Sequence, residues 1–354
     1  MNSKKLNILS LDGGGIRGII PCRIMQFIEE QTGKPISKFF NVVAGTSTGG
    51  IITLGLTAEN DEGENVFSAA DMKSLYLEHG SEIFSGRKGG ILSKISPTLF
   101  NRPYDNSKIE AILEERFGKQ MLSNAKTNVI ITTYDIQRGR PFYFSSRLAQ
   151  NNPSEDFAIK DVARSTSAAP TFFKPSVLET EANGEVSFID GGVFANNPAI
   201  LAYNEAKELW KLQRQALTPA TFASGTKGFD PVVSADDDDF PFFMLSIGTG
   251  YTKSSIEGTQ ASKWRNKDWF EPLMTDIFMR GVAENTHFNM QHLLPDYRSG
   301  AKRYIRLDME LPEQAAAMDN GKAENVKNLE KIAEKFIEDN HELLISICNR
   351  LTTN

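Results

Sequence analysis

The sequence predicts an α/β fold built on a parallel sheet. Two observations carry this prediction: apolar runs of strand length alternate with helical patterns, and two of those runs end in glycine-rich loops that open directly into a helix. Parallel strands need a crossover connection, and that connection is usually a helix, so alternating strands and helices favour a parallel sheet. A length of 354 residues fits either one large α/β domain or two smaller ones.

Strand and helix alternate first over residues 6–57. Residues 6–11 form an apolar run that predicts a buried strand, and apolar side chains recur at helical spacing over residues 19–31. A second strand is expected over residues 40–44, and a second helix over residues 51–57. The order strand, helix, strand, helix implies right-handed crossovers between parallel strands.

The rest of the chain repeats the same two kinds of pattern. Strands are expected over residues 129–133, 142–144, 186–189 and 242–247. Long helices are expected over residues 198–216, 269–294 and 325–351. Residues 217–240 are polar and end in consecutive aspartates, so we expect an exposed acidic insertion loop there.

Composition excludes several classes of protein and site. The 39 basic and 45 acidic residues leave a net charge of −6, whereas a protein that binds a nucleic-acid polymer through its phosphates is usually basic. Cys22 and Cys348 are the only cysteines and form no CxxC pair, so we expect neither a disulfide framework nor a cysteine-rich zinc site. No apolar run reaches the length of about 18 residues that a membrane-spanning helix needs. We therefore expect a cytoplasmic protein that needs no metal and no cofactor.

A serine with the surroundings of a nucleophile lies between the second strand and its helix. Gly45, Ser47 and Gly49 form a GxSxG motif at that junction. In enzymes with this motif, a sharp strand-to-helix turn pushes the serine hydroxyl out at the edge of the sheet, and the glycines leave room for the turn. The motif predicts a nucleophile elbow centred on Ser47.

A glycine loop follows the first strand, with the sequence DGGGIRG over residues 12–18. Residues 13–18 match the GxGxxG pattern of dinucleotide-binding folds, but the acidic residue that such folds place after the next strand is missing. A P-loop is also incomplete, since Ile51 stands where its lysine belongs. Consecutive glycines at a helix N-terminus expose backbone N–H groups, and such donors can hold the oxyanion of an ester under attack.

Three residues are candidates for the base that a nucleophilic serine needs. Asp190 ends a strand and is followed by two glycines that allow a close approach, at the edge where parallel α/β sheets collect their active residues. The order Ser47, Asp190 and then His287 or His292 matches the triad of α/β-hydrolases, although those enzymes place several strands before the elbow. These residues by themselves are compatible both with a Ser–Asp dyad and with a triad that includes one of the two histidines.

In this order and spacing, the motifs resemble those of the patatin-like phospholipase family. The resemblance rests on residues 12–18, on the GTSTG of residues 45–49, on the DGG of residues 190–192 and on the Ala/Ser-rich stretch of residues 163–173. It covers residues 6–205 closely, and three ordered motifs are far more specific than any one of them. The resemblance implies a three-layer α/β fold with a mainly parallel central sheet flanked by helices.

The resemblance also implies a role for each motif position. It makes Ser47 the nucleophile and Asp190 the base of a dyad without a catalytic histidine. The implied oxyanion donors are Gly13, Gly14 and Gly15, with Arg17 beside them. The implied organisation is a patatin-like catalytic core over residues 6–205 and a remainder of the same domain over residues 206–354, which contains the acidic loop, the strand 242–247 and the C-terminal helices.

The function that the resemblance implies is a lipid acyl hydrolase of the phospholipase A or lysophospholipase type. Its partners are expected to be phospholipids or other acyl esters at a peripheral membrane surface, and the apolar residues scattered over residues 83–100 are expected to cover the site and touch the lipid. Some bacterial patatin-like enzymes of about this size are effectors of antiviral signalling that cyclic oligonucleotides switch on, so the resemblance permits a small nucleotide activator. The glycine loop leaves a further alternative, a nucleotide-binding regulatory protein.

Overall fold

The computed structural model describes residues 5–60, 63–85, 103–180, 184–217, 242–253, 257–265, 269 and 277–353. The strands are β1 (Leu6–Leu11), β2 (Val42–Thr46), β3 (Asn128–Asp135), β4 (Arg140–Ser145), β5 (Ser176–Thr180), β6 (Gly184–Asp190), β7 (Phe242–Ile247) and β8 (Tyr304–Leu307). The helices are α1 (Ile19–Thr32), α2 (Thr48–Thr57), α3 (Ala69–Ile83), α4 (Asn106–Phe117), α5 (Ser146–Asn151), α6 (Ile159–Thr166), α7 (Gly192–Ala195), α8 (Ala199–Leu217), α9 (Gly258–Ala261), α10 (Arg280–Leu293), α11 (Ala323–Asp339) and α12 (His341–Thr352). Short 3₁₀ turns occur at Gly15–Gly18, Ile36–Lys38, Leu122–Asn124, Pro153–Glu155 and Glu313–Ala315.

One eight-stranded sheet organises these elements, in the order β5-β6-β3-β2-β1-β7-β8, with β4 paired to β3 outside this path. Neighbouring strands from β3 to β8 along the path are parallel, whereas β4, β5 and β6 join the sheet in antiparallel fashion. The pairing of β1 aligns Leu11 with Gly45 on β2 and with Ile247 on β7. The loops that follow β1, β2 and β7 therefore leave the sheet at the same edge, and the predicted mainly parallel sheet is confirmed.

Helices cover both faces of the sheet because its central strands are apolar on both. On β1, Leu9 and Leu11 belong to the larger apolar cluster, which α1, α2, α3, α11 and α12 share. Leu6 and Ile8 point the opposite way, into a second cluster to which α8 contributes Ala202. A strand buried on both faces needs no polar side, which is why β1 lacks the regular alternation of a half-exposed strand. The predicted three-layer α/β architecture is confirmed.

The structure contains elements that the sequence patterns do not predict. The short strands β5 and β8 carry polar side chains, including Arg306 inside β8, so neither shows an apolar run. Helices α4 and α6 are also missing from the prediction. The helix expected over residues 325–351 is two helices, α11 and α12, because the backbone leaves helical geometry at Asn340, with φ −117° and ψ 22°.

Two expectations fall mainly outside the described residues. The acidic loop expected over residues 217–240 shares only Leu217 with the described part, and the cover expected over residues 83–100 shares only residues 83–85. None of the helices in the described ranges combines the length and the hydropathy that a membrane crossing requires.

Candidate active site

Ser47 lies at the sharp turn between β2 and α2, with its backbone at φ 55° and ψ −122°. Positive φ is strained for a residue with a side chain, and strain of this kind costs on the order of 1–3 kcal/mol and concentrates at functional sites. The turn leaves Ser47 partly exposed, whereas its neighbours Thr46 and Thr48 are buried. Ser47 also lies at the N-terminus of the ten-residue helix α2, where the helix dipole favours negative charge.

The two glycines of the elbow are required by close packing. A Cβ atom on Gly45 would lie 2.2 Å from the carbonyl oxygen of Gly49, and one on Gly49 would lie 2.3 Å from the carbonyl oxygen of Leu11. Both contacts are with backbone, which cannot give way without displacing β1 or α2. The elbow therefore packs directly against the end of β1, where the glycine loop begins.

We expect Gly49→Ala to lower the free energy of unfolding by about 3 kcal/mol, because it forces a methyl group into a packed backbone contact. Urea denaturation followed by circular dichroism measures this loss. Gly281→Ala is the matched control, since Gly281 lies in α10 and a Cβ atom there meets nothing within 4 Å; its stability should stay the same or rise by about 1 kcal/mol. A Gly49→Ala protein as stable as the wild type would contradict this packing.

Asp190 reaches the same sheet edge by a route that the sequence does not reveal. It is the last residue of β6, and β6 pairs with β3 in antiparallel rather than parallel fashion. Three residue pairs align the two strands, from Thr133 opposite Asp190 to Asp135 opposite Phe188. Because β6 approaches from beyond the end of β3 and overlaps only its last residues, its carboxyl end stops at the edge where β1 and β2 also end.

The Ala/Ser-rich stretch that begins in α6 contacts the backbone of both Ser47 and Asp190. The N–H of Ser47 donates to Thr166 Oγ1 at 2.8 Å, and that hydroxyl donates to the carbonyl of Thr132 at 2.7 Å. The N–H of Asp190 donates to the carbonyl of Ala168 at 3.0 Å. One short segment therefore sets the position of the serine relative to the aspartate.

The carboxylate of Asp190 accepts a hydrogen bond from the N–H of Gly192 at 2.7 Å, and the Ser47 side chain lies near enough to the carboxylate to act on its pKa. Only 4% of Asp190 is exposed. Burial raises the pKa of Asp190 to about 6, although the Ser47 side chain and the N–H of Gly192 act in the opposite direction. A carboxylate with this pKa is a stronger base than a solvated aspartate and is still largely ionised at neutral pH.

The glycine loop packs beside Ser47, but its three consecutive glycines are not equivalent. A Cβ atom on Gly13 would lie 3.3 Å from the Cβ of Ser47 and 2.5 Å from Oδ1 of Asn196. The N–H of Gly13 donates to the backbone carbonyl of Asn196 at 3.1 Å. Gly13 therefore differs from the expectation, because its proton is already bound and is not free for an oxyanion. Among the residues that the structure describes, the N–H groups of Gly14 and Gly15 have no acceptor.

A group of charges, the Arg306 cluster (Arg306, Asp12 and Asp308), forms around Asp12, the first residue of the glycine loop, and is missing from the sequence prediction. Arg306 donates to both carboxylate oxygens of Asp12, at 2.8 and 2.6 Å, and to Asp308 at 2.7 Å. Burial raises the pKa of Asp12 to about 6, against the charge and the hydrogen bonds of Arg306. No local signal reveals this pair, since its members lie 294 positions apart in the chain.

Arg17 lies near the end of the glycine loop and joins the loop to the turn after β7. Its Nε donates to the carbonyl of Gly14 at 3.3 Å, and its Nη1 donates to that of Gly250 at 3.2 Å. Arg17, Asp12 and Asn196 also line a cavity of about 600 Å³. A cavity of this size is typical of small-ligand sites, and it adjoins the glycine loop without including Ser47 or Asp190 in its lining.

The histidines of the alternative triad make other contacts. Nδ1 of His287 lies 3.1 Å from the hydroxyl of Tyr304, and burial lowers the pKa of His287. Nδ1 of His292 lies 2.8 Å from a backbone carbonyl one helical turn earlier. The side chain of Ser47 instead acts on the pKa of Asp190. Within the described part of the chain, no three His, Cys, Asp or Glu side chains are grouped in a way that could hold a metal ion.

Comparison with known proteins identifies the family. The model of the patatin-like phospholipase family matches residues 9–203. Patatin-like protein 2 of Arabidopsis thaliana is 34% identical over 354 residues, which cover 94% of this chain and 83% of that protein. Patatin-like protein 2 of Oryza sativa subsp. indica is 33% identical over 356 residues, which cover 95% of this chain and 85% of that protein. Among solved structures, VipD from Legionella pneumophila is 13% identical, with a TM-score of 0.33 and coverage of 94% of this chain and 67% of that one. On the strength of the family model and the two plant relatives, the chain belongs to the patatin-like phospholipase family.

Proposed function

We propose that this protein is a lipid acyl hydrolase that cleaves fatty-acyl esters of glycerolipids through a Ser47–Asp190 dyad. The observation that carries the proposal is that Ser47, on its strained turn, adjoins the buried carboxylate of Asp190, whose pKa burial raises to about 6. A serine hydroxyl becomes a strong nucleophile when a base takes its proton, and Asp190 adjoins Ser47 and is basic enough to take it. Membership of the patatin-like phospholipase family supports a lipid ester as the substrate.

In the first half of the reaction, Asp190 takes the proton of the Ser47 hydroxyl while Oγ attacks the carbonyl carbon of the ester. The carbonyl oxygen becomes an oxyanion in a tetrahedral intermediate. We assign its stabilisation to the N–H groups of Gly14 and Gly15, which have no other acceptor among the described residues, and to the positive end of α2. The intermediate collapses when the ester C–O bond breaks, and the proton on Asp190 passes to the departing alcohol oxygen.

The second half of the reaction releases the fatty acid. Asp190, again a carboxylate, takes a proton from a water molecule whose oxygen attacks the carbonyl carbon of the acyl-enzyme. The same N–H groups stabilise the second oxyanion. Its collapse breaks the bond to Ser47 Oγ, which recovers the proton from Asp190. Because one carboxylate carries the proton in both halves, the mechanism requires neither a histidine nor a metal ion.

We further propose that the substrates are phospholipids or related acyl esters at a membrane surface, in a phospholipase A or lysophospholipase reaction. Exposed apolar side chains support this, since Phe278 is 54% and Phe288 is 59% exposed. Met279, next to Phe278, lines the cavity beside the glycine loop, and its Cε would lie 3.3 Å from a Cβ atom on Gly192. Apolar side chains exposed beside a cleft are typical of surfaces that bind a membrane or another protein.

Labelling with a fluorophosphonate probe tests the proposed nucleophile, because the probe reacts with an activated serine and not with an ordinary one. We expect labelling at Ser47, located by peptide mass spectrometry, and release of fatty acid from phospholipid vesicles in the presence of EDTA. Running the vesicle assay with and without cyclic oligonucleotides separates a nucleotide-activated enzyme from one that is active alone. A wild-type protein that takes up no probe and releases no fatty acid in either condition would refute the proposal.

The raised pKa of Asp190 gives the reaction a pH dependence. Only the ionised carboxylate can take the proton from Ser47, so activity should be full above about pH 7, half-maximal near pH 6 and about tenfold lower for each further pH unit. Initial rates with a soluble short-chain ester measure the profile, and circular dichroism at each pH controls for unfolding. Activity that stays constant down to about pH 5 would show that Asp190 is not the base.

A further inference from the structure

The N–H groups assigned to the oxyanion belong to peptide units whose carbonyl oxygens accept hydrogen bonds from other groups. The N–H of Gly14 shares a peptide plane with the carbonyl of Gly13, and the N–H of Gly15 shares one with the carbonyl of Gly14. In a trans peptide the N–H and the C=O point in opposite directions, and these peptide bonds are trans. Whatever fixes the two carbonyls therefore also fixes the direction in which the two N–H groups point.

Thr249 fixes the first of these carbonyls. Its hydroxyl donates to the oxygen of Gly13 at 2.8 Å, and Thr249 is only 3% exposed. The side chain has little room to shift, since a Cβ atom on Gly14 would lie 2.1 Å from Oγ1 and 2.6 Å from Cβ of Thr249. The second carbonyl, that of Gly14, accepts from the N–H and from Nε of Arg17, each at 3.3 Å. The carbonyl of Gly13 is therefore held by Thr249 in the turn after β7, and the carbonyl of Gly14 is held by Arg17 within the glycine loop.

The turn that carries Thr249 is anchored on both sides. The N–H of Gly248 donates to the carbonyl of Leu307 at 2.8 Å, and the N–H of Gly250 donates to Oδ1 of Asp308 at 3.0 Å. Asp308 in turn belongs to the Arg306 cluster. The backbone of Thr249 therefore cannot move away from the glycine loop without breaking a hydrogen bond to the end of β8.

We propose that Thr249 is a positioning residue of the oxyanion hole: by holding the carbonyl of Gly13, it aims the N–H of Gly14 at the negative charge that develops on the substrate. This inference rests on the proposed function. The competing explanation is that the hydroxyl merely satisfies a buried carbonyl, as buried polar groups generally require. A positioning role affects the rate of the chemical step, because a small misplacement of a donor costs much of its stabilisation of the transition state. A purely structural bond affects stability alone.

Thr249→Ser and Thr249→Ala provide the test, because both lose the γ-methyl group and they differ only in the hydroxyl. With a soluble p-nitrophenyl ester, we expect kcat of Thr249→Ala to be about 10- to 100-fold below that of Thr249→Ser, with KM values equal within about twofold. The affinity for a trifluoromethyl ketone, which forms a tetrahedral adduct with a nucleophilic serine, should fall by the same factor.

Thr57→Ser and Thr57→Ala are the matched controls. Thr57 is also buried, and its hydroxyl also donates to a backbone carbonyl, that of Thr53 at 2.7 Å. It lies at the end of α2 that is distant from Ser47. The serine and alanine variants at this position should have the same kcat, and the alanine variant should differ only by a lower melting temperature.

The outcomes separate this inference from the proposed function. Equal kcat and equal inhibitor affinity in the two Thr249 variants, with an active wild-type protein, would overturn the inference alone. An inactive wild-type protein would overturn the proposed function and, with it, any role for Thr249 in catalysis. If Thr249→Ala does not fold, Thr249→Val keeps the volume of the side chain without its hydroxyl, and an undiminished kcat in that variant overturns the inference as well.

Discussion

Replacing Asp190 with asparagine is expected to lower kcat by about 10³- to 10⁴-fold, because general-base catalysis contributes up to about that factor and asparagine cannot take the proton. The fold should survive. The two side chains have nearly the same shape, and the asparagine Oδ1 can still accept the hydrogen bond that Gly192 donates to the aspartate. Initial rates with a soluble ester and circular dichroism measure the two effects.

The same substitution should raise stability at neutral pH. Burial raises the pKa of Asp190 from its ordinary value of 3.8 to about 6, so the ionised carboxylate destabilises the folded protein at any pH above 6. This destabilisation declines as the pH falls through about 6 and is gone below about 4, where the unfolded chain also binds the proton. Removing the charge should therefore add about 2–3 kcal/mol to the free energy of unfolding at neutral pH and almost nothing below about pH 4.

Ser47→Ala should be equally inactive, since it removes the attacking oxygen, and it should not react with the fluorophosphonate probe. The control is His287→Ala. Its ring hydrogen-bonds to Tyr304 rather than to the dyad, so activity should stay within about tenfold of the wild-type value. His292→Ala should behave in the same way. A folded but inactive His287→Ala would exclude the dyad and restore the triad with that histidine as its base.

The second large effect is expected on stability, from the replacement of Arg306 by methionine. The change leaves the carboxylates of Asp12 and Asp308 without their shared cation, and Asp12 is only 3% exposed. A buried charge that loses its partner costs about 3–5 kcal/mol. We expect a loss of that size in the free energy of unfolding, measured by urea denaturation at neutral pH. Because Asp12 begins the glycine loop, kcat should fall as well.

The pH dependence of this loss identifies its cause. Without Arg306, the pKa of Asp12 should rise further above its value of about 6, since burial then acts without the opposing cation. A buried carboxylate with a raised pKa destabilises the folded state at pH values above that pKa. The loss of stability in Arg306→Met should therefore shrink as the pH falls and Asp12 takes up a proton. The double variant Asp12→Asn with Arg306→Met should likewise recover part of the stability at neutral pH.

Arg147→Met is the matched control for Arg306→Met. Arg147 forms two hydrogen bonds to Glu205, at 2.5 and 3.0 Å, and Glu205 is 5% exposed, but this pair joins α5 to α8 and contacts neither the glycine loop nor the turn after β7. The control variant should lose stability and keep its kcat. If Arg306→Met proves as stable as the wild type, or loses stability with an unchanged kcat, the cluster does not support the glycine loop.

The sequence by itself indicated the architecture and the nucleophile elbow at Ser47, because the signals for both are local. Strands and helices are predicted from hydrophobic periodicity over short stretches of sequence, and their alternation predicts the mainly parallel sheet. A nucleophile elbow needs a strand, a tight turn and a helix within a few residues, so Gly45 and Gly49 mark it directly. In the structure, a Cβ atom added to either glycine would lie only 2.2 or 2.3 Å from a backbone carbonyl oxygen.

Only the tertiary structure decided which groups are free to act and what holds them. In the sequence, the N–H of Gly13 is equivalent to those of the next two glycines, but the carbonyl of Asn196 binds it in the fold. Arg306 and Thr249 hold the glycine loop from positions 294 and 236 residues away from the residues they bind. Contacts at such separations depend on which strands become neighbours in the sheet, and the periodicity of a single segment carries no information about its neighbours.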